Sequence, residues 1–147
     1  MTRNTQLKLE VDKLQVYLAN QGDDVVIAMP NGRSLQLLTM NIEDSSGNKL
    51  AIKNRGEIMK FDNTIYASDF VVLAAGARIK IGEATLQSDS LDLDLFTVDL
   101  VSGTYQLKFI YSNRKNQYYN EEEKRLIRLD NVWSGKIESA EQLISVP

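Results

Sequence analysis

The sequence predicts an all-β protein, a single domain built as an antiparallel sandwich of about 7 to 9 strands. Three observations lead there. Apolar residues recur at every second position, most plainly in 104–111, where Tyr105, Leu107, Phe109 and Tyr111 face one way and Gln106 and Lys108 the other, with Ile110 the apolar exception. That is the period of a strand buried on one face. Short apolar runs follow one another at intervals of about 8 to 12 residues, separated by turn residues and without helix caps. The chain has 147 residues, the commonest size for one hydrophobic core, which leaves little room for a second.

Taken in order, Leu7, Leu9 and Val11 alternate with Lys8, Glu10 and Asp12, and Leu14, Val16 and Leu18 continue in the opposite phase. A first strand split across two sheets accounts for the change of phase. An amphipathic helix also fits Leu7, Val11, Leu14 and Leu18, but leaves Leu9 and Val16 unexplained. Residues 25–29 form a short apolar run closed by the turn signal Pro30-Asn31-Gly32. A strand is expected over 35–43. It ends in Asp44-Ser45-Ser46-Gly47-Asn48, a hairpin-type connection rich in residues that tolerate positive φ, from which 50–53 returns.

The region 54–68 is mixed, with Phe61, Ile65 and Tyr66 as expected core contacts. Residues 70–73 and 77–81 read as strands on either side of Ala75-Gly76. Leu91, Leu93 and Leu95 alternate with Asp92 and Asp94, after which Phe96, Val98 and Leu100 alternate with Thr97 and Asp99. This second change of phase predicts a bulge or a change of sheet near Leu95-Phe96. After the strand at 104–111 comes a long polar insertion, 113–131, containing Tyr118-Tyr119 and the charge run 121–125; it extends a hairpin or forms a loop.

Composition removes whole classes of chemistry. Cysteine and histidine are both absent, so the chain has no Cys/His zinc site, thiolate nucleophile, disulfide framework or imidazole base. The net charge is −3 with both signs interspersed, which offers nucleic acid no basic patch. No apolar stretch approaches the 18 residues or so of a membrane span, and the domain reads as soluble, without membrane insertion. Met1 to Gln6 carry no apolar leader segment. A trimmed chain would look the same, so localisation is unknown, and extracytoplasmic where a leader has been removed.

Ser102-Gly103-Thr104-Tyr105-Gln106-Leu107 has the form of a tyrosine corner, in which a tyrosine at the start of a strand returns its hydroxyl to backbone just upstream. The alternative is an ordinary turn followed by a strand with an interior tyrosine. Together with Tyr111-Ser112-Asn113, Val132-Trp133-Ser134-Gly135 and Glu138-Ser139, this segment resembles bacterial immunoglobulin-like domains, in which a Gly-x-Tyr strand ends in Tyr-Ser-Asn and is followed by a Trp-x-Gly strand. The resemblance covers about the last third of the chain and implies an antiparallel immunoglobulin-like β-sandwich. Such domains serve as adhesion, assembly, accessory and inhibitor modules, so the resemblance says little about activity. The insertion 114–130 departs from the compact pattern.

Candidate chemistry is sparse. Asp89, Asp92, Asp94 and Asp99 offer oxygen ligands to calcium, but their alternation with apolar residues is that of a solvated strand face, and no metal and no cofactor is expected. No pair of carboxylates is marked as buried for glycoside hydrolysis, and the eight glycines are dispersed at turns rather than gathered in a phosphate loop. The chain is therefore read as non-enzymatic. Trp133 shares a strand face with Ile137, opposite Lys136 and Glu138, which places it in the core.

Tyr118 and Tyr119 lie in a polar stretch flanked by Arg114, Lys115 and Arg125. Amphipathic rings among arginines are typical anchors of recognition surfaces; the plainer reading has one ring packed against the sandwich edge. The expected function is a non-catalytic protein-interaction or assembly module that contacts a protein partner through Arg114, Tyr118, Tyr119 and Arg125. The alternatives are a carbohydrate-binding module using Tyr118, Tyr119 and Tyr66 or Trp133, and a loop-presenting protease inhibitor.

Overall fold

A computed structural model describes residues 6–30, 37–54, 66–94 and 96–147. The fold is all-β and its strand pairs are antiparallel. Strands β1 (Leu7–Asp12), β2 (Gln15–Asn20), β3 (Val25–Ala28), β4 (Leu38–Glu43), β5 (Lys53–Asn54) and β6 (Phe70–Leu73) are followed by β7 (Arg78–Leu86), β8 (Ser90–Leu93), β9 (Phe96–Asp99) and β10 (Gly103–Asn113). The chain ends with β11 (Gln117–Asn120), β12 (Arg125–Arg128), β13 (Gly135–Glu138) and β14 (Gln142–Val146). The expected strands thus arrive as a larger number of short segments, because turns and breaks divide several of the apolar runs. The expected turn at Asn31-Gly32, the start of the 35–43 strand, and Phe61, Ile65 and Leu95 lie outside the described residues.

Two sheets share one core. One runs β1-β2-β7-β8-β9-β5; in the other, β10 pairs with β4 on one edge and with β13 and β14 on the opposite edge. Leu9, Val16, Leu18, Leu91, Leu93 and Val98 from the first sheet meet Leu38, Met40, Ile42, Leu107, Phe109 and Tyr111 from the second. Alternation in the sequence picks out these first-sheet residues and Leu107, Phe109 and Tyr111, and facing rows of this kind are how two sheets remove their apolar sides from water. Gly82, in the middle of β7, lies so close to the buried Leu38 side chain that an added Cβ would overlap it. Its lack of a side chain lets β7 approach the other sheet.

Both expected sheet changes are corrected. The phase change after Val11 is not one strand split between sheets: β1 and β2 form a hairpin in one sheet, with Asp12 opposite Gln15. Lys13 and Leu14 turn the chain at φ 51° and 65°, the double positive φ of a tight hairpin turn. Lys13-Leu14 departs from the glycine and asparagine that usually mark such turns, so no local turn signal is present there. Likewise β8 and β9 pair directly, Leu93 opposite Phe96, in the same sheet. A two-residue connection shifts the apolar phase as a bulge would. The actual bulge is in β7, where the register with β2 shifts between Val16 and Tyr17.

The 44–48 connection behaves as expected, with Gly47 at φ 83°. The Asp44 carboxylate accepts bonds from the Ser46 and Asn48 amides, each 2.9 Å. Beyond it, Leu50 donates to Ile42, but Lys53 and Asn54 pair with β9 of the other sheet.

Strand β10 carries most of the second sheet. Tyr105, Leu107, Phe109 and Tyr111 are buried along it, and Ile110 on the other face is buried too. The Tyr105 hydroxyl donates to the Val101 carbonyl at 2.7 Å and accepts from the Val101 amide at 3.1 Å, so the ring anchors the chain where it enters the strand. Strands β13 and β14 follow one another along the same edge of β10, interrupted at 139–141. Across the break the ladder persists: Ser139 donates its amide to Phe109 O, and the Phe109 amide donates to the Ser139 hydroxyl, both at 2.9 Å.

Candidate recognition groove

The insertion is a hairpin of its own. Strands β11 and β12 pair with Tyr118 opposite Ile127 and Tyr119 opposite Leu126. The connecting turn at 121–124 is held by the Asn120 side chain, which accepts from the Glu123 amide at 3.0 Å, and by Lys124 at φ 52°. The charge run is therefore the tip of a hairpin.

Its base is fastened to the sandwich. Buried Asn113, the last residue of β10, donates to the carbonyls of Lys115 (3.1 Å) and Trp133 (2.9 Å) and accepts from the Lys115 amide (3.0 Å). One side chain thus clamps both the outgoing and the returning chain. The return is also tied to β3: Val26 donates to Asn131 O, Trp133 donates to Val26 O, and the Asn131 side chain donates to Asp24 O. A loop anchored in this way loses little further order when it binds a ligand.

Facing β11 is a single 3-10 turn, Ala67–Asp69. Buried Asp69 fixes it, accepting the Tyr66 amide at 2.9 Å while its own amide donates to Tyr66 O. Between the turn and the hairpin lies a groove of about 600 Å³, open to solvent and lined by Tyr66, Ala67, Ser68, Tyr118, Tyr119, Asn120, Glu121 and Glu122.

Of the four expected partner-contacting residues, Tyr118 and Tyr119 line this groove and are half-buried. Arg114 and Arg125 are exposed outside its lining, and Arg125 donates through Nε to Glu123 at 2.8 Å. Tyr66, expected in the core, is half-buried at the groove wall instead. In the sequence Glu121 and Glu122 are part of a charge run, and nothing local places them in one groove with Tyr66. Trp133 packs on the core, its ring 5.5 Å from that of Tyr111, and does not line the groove.

Two of the four aspartates considered as oxygen ligands make contacts within their own sheet. Asp92 accepts a 2.6 Å bond from the Thr97 hydroxyl, and Asp99 pairs with Lys53 at 2.6 Å. Among the described residues no group of three or more acidic side chains is placed to hold a metal ion, and no helix is long and apolar enough to cross a membrane. No protein-family model, curated protein or solved structure matches the chain.

Proposed function

We propose that the chain is a non-catalytic protein-interaction module on an immunoglobulin-like sandwich, and that it binds its partner through the groove between the β11–β12 hairpin and the 66–69 turn. The observation that carries this reading is that Tyr66, Tyr118 and Tyr119 all line one open groove whose hairpin wall is clamped at its base. Tyrosine supplies broad contact area with few rotamers to freeze, and groups of such rings mark binding surfaces. Support for the immunoglobulin-like assignment comes from the Tyr105–Val101 bonds and from β10 lying between β4 and the β13–β14 line. On that plan the hairpin occupies the connection between the last two strands, a common place for recognition loops.

The test is capture of partners from a native extract on the immobilised chain, followed by titration of each purified partner against the wild type and a Tyr118→Ala/Tyr119→Ala variant. Binding at least tenfold weaker in the variant is expected, with an unchanged far-UV spectrum. Equal affinity would remove the groove from the binding surface.

A second reading, a carbohydrate-binding module, draws on the same tyrosines together with Ser68 and Asn120, residue types that offer stacking faces and hydrogen-bonding groups. Binding of several related neutral glycans on an array, lost in the same variant, would favour it.

A further inference from the structure

The groove is charged on one side only. Its described lining includes Glu121 and Glu122 and no lysine or arginine. Arg125 is engaged with Glu123, and among the described residues neither Glu121 nor Glu122 forms an ion pair. Among the described residues the hairpin thus carries two carboxylates without an ion-pair partner in a groove that Tyr66, Tyr118 and Tyr119 also line.

A ring face and a carboxylate together suit a lysine or arginine: the face attracts the cation through its quadrupole, and the carboxylate pairs with it. The chain already makes this arrangement elsewhere. The Arg78 guanidinium lies 4.0 Å from the centre of the Tyr17 ring and reaches Glu10 at 3.5 Å. A neutral sugar would gain from the rings but not from the charge, and an acidic peptide or a phosphate would be repelled. A volume of about 600 Å³ is within the usual range for a bound ligand, and its openness suits a segment that continues beyond it.

We propose that the groove binds an extended cationic peptide segment, a lysine or arginine side chain lying against Tyr118 or Tyr119 with its charge at Glu121 and Glu122. This rests on the groove reading above and names the chemistry of the partner. The test is titration calorimetry with three pools of blocked hexapeptides on a glycine-serine background, carrying two arginines, two glutamines or two glutamates.

The arginine pool is expected to bind, and the other two to bind at least fivefold more weakly. Glu121→Gln/Glu122→Gln should weaken arginine-pool binding at least fivefold, and raising salt from about 0.05 to 0.5 M should do the same, because exposed charges are screened. Both glutamates are exposed, so the variant should keep the wild-type melting midpoint. Equal binding of the arginine and glutamine pools, no binding of any pool, or binding of neutral oligosaccharides alone overturns the proposal. If a captured partner is lost in Tyr118→Ala/Tyr119→Ala but kept in Glu121→Gln/Glu122→Gln, the cation assignment fails and the groove remains the binding surface. If the partner is kept in both, both readings fail.

Discussion

Single side chains decide where this chain bends and where it is anchored, and Tyr111 is the most demanding of them. It is fully buried, and its hydroxyl donates to the carbonyl of buried Ala28 at 2.6 Å. Burial pushes the phenol far above its ordinary range, more strongly than the Ala28 bond changes it. Tyr111→Phe removes the donor and leaves a buried carbonyl unpaired, so a loss of about 1–3 kcal/mol is expected in chemical denaturation at neutral pH. The same residue sets an alkaline dependence. Its folded-state pKa exceeds the unfolded value, so its contribution is complete below about pH 10 and is lost as pH rises further, by about 1.4 kcal/mol per unit. The phenylalanine variant should lack that part of the slope; parallel slopes for the two proteins above pH 10 would contradict the assignment.

At the level of elements, the ladder between β10 and the β13–β14 line depends on one hydroxyl. At the 139–141 break, Ser139 supplies the acceptor for the buried Phe109 amide. Ser139→Ala should cost about 1–3 kcal/mol, since the amide is left without a partner, and should speed hydrogen exchange at Phe109. An unchanged exchange rate would show that another acceptor takes over. What could be read in the sequence divides along the same line. Alternation exposed β10, β8 and β9 and the inward faces of β1 and β2, because each buries one side against the shared core. The hairpin turn at 13–14 and the short connection from β8 to β9 resemble sheet changes or bulges in the sequence. In those turns Lys13, Leu14 and Asp94 hold positive φ without glycine, and tertiary pairing overrides the local preference. Tyr118 and Tyr119 stood out as rings in a polar stretch, whereas Tyr66 and the two glutamates became part of one groove only through the fold.

For the molecule as a whole, a core drawn from both sheets predicts that the two unfold together. Leu93, on β8 of the first sheet, is fully buried among side chains that include Leu107 and Phe109 of the second. Trp133, the single tryptophan, packs against Tyr111 beside the second sheet and reports on that sheet's packing. Leu93→Ala opens a cavity between the layers and should cost about 2–5 kcal/mol. A two-state domain distributes that loss over every probe. The urea midpoint seen by Trp133 fluorescence should therefore move by the same amount as the midpoint seen by far-UV circular dichroism, although the lesion lies in the other sheet. A tryptophan transition that stays at the wild-type midpoint while the far-UV transition shifts would show that the sheets unfold separately. In that case the hairpin, clamped by Asn113 to β10 and by the 131–133 return to β3, would draw its order from those two strands.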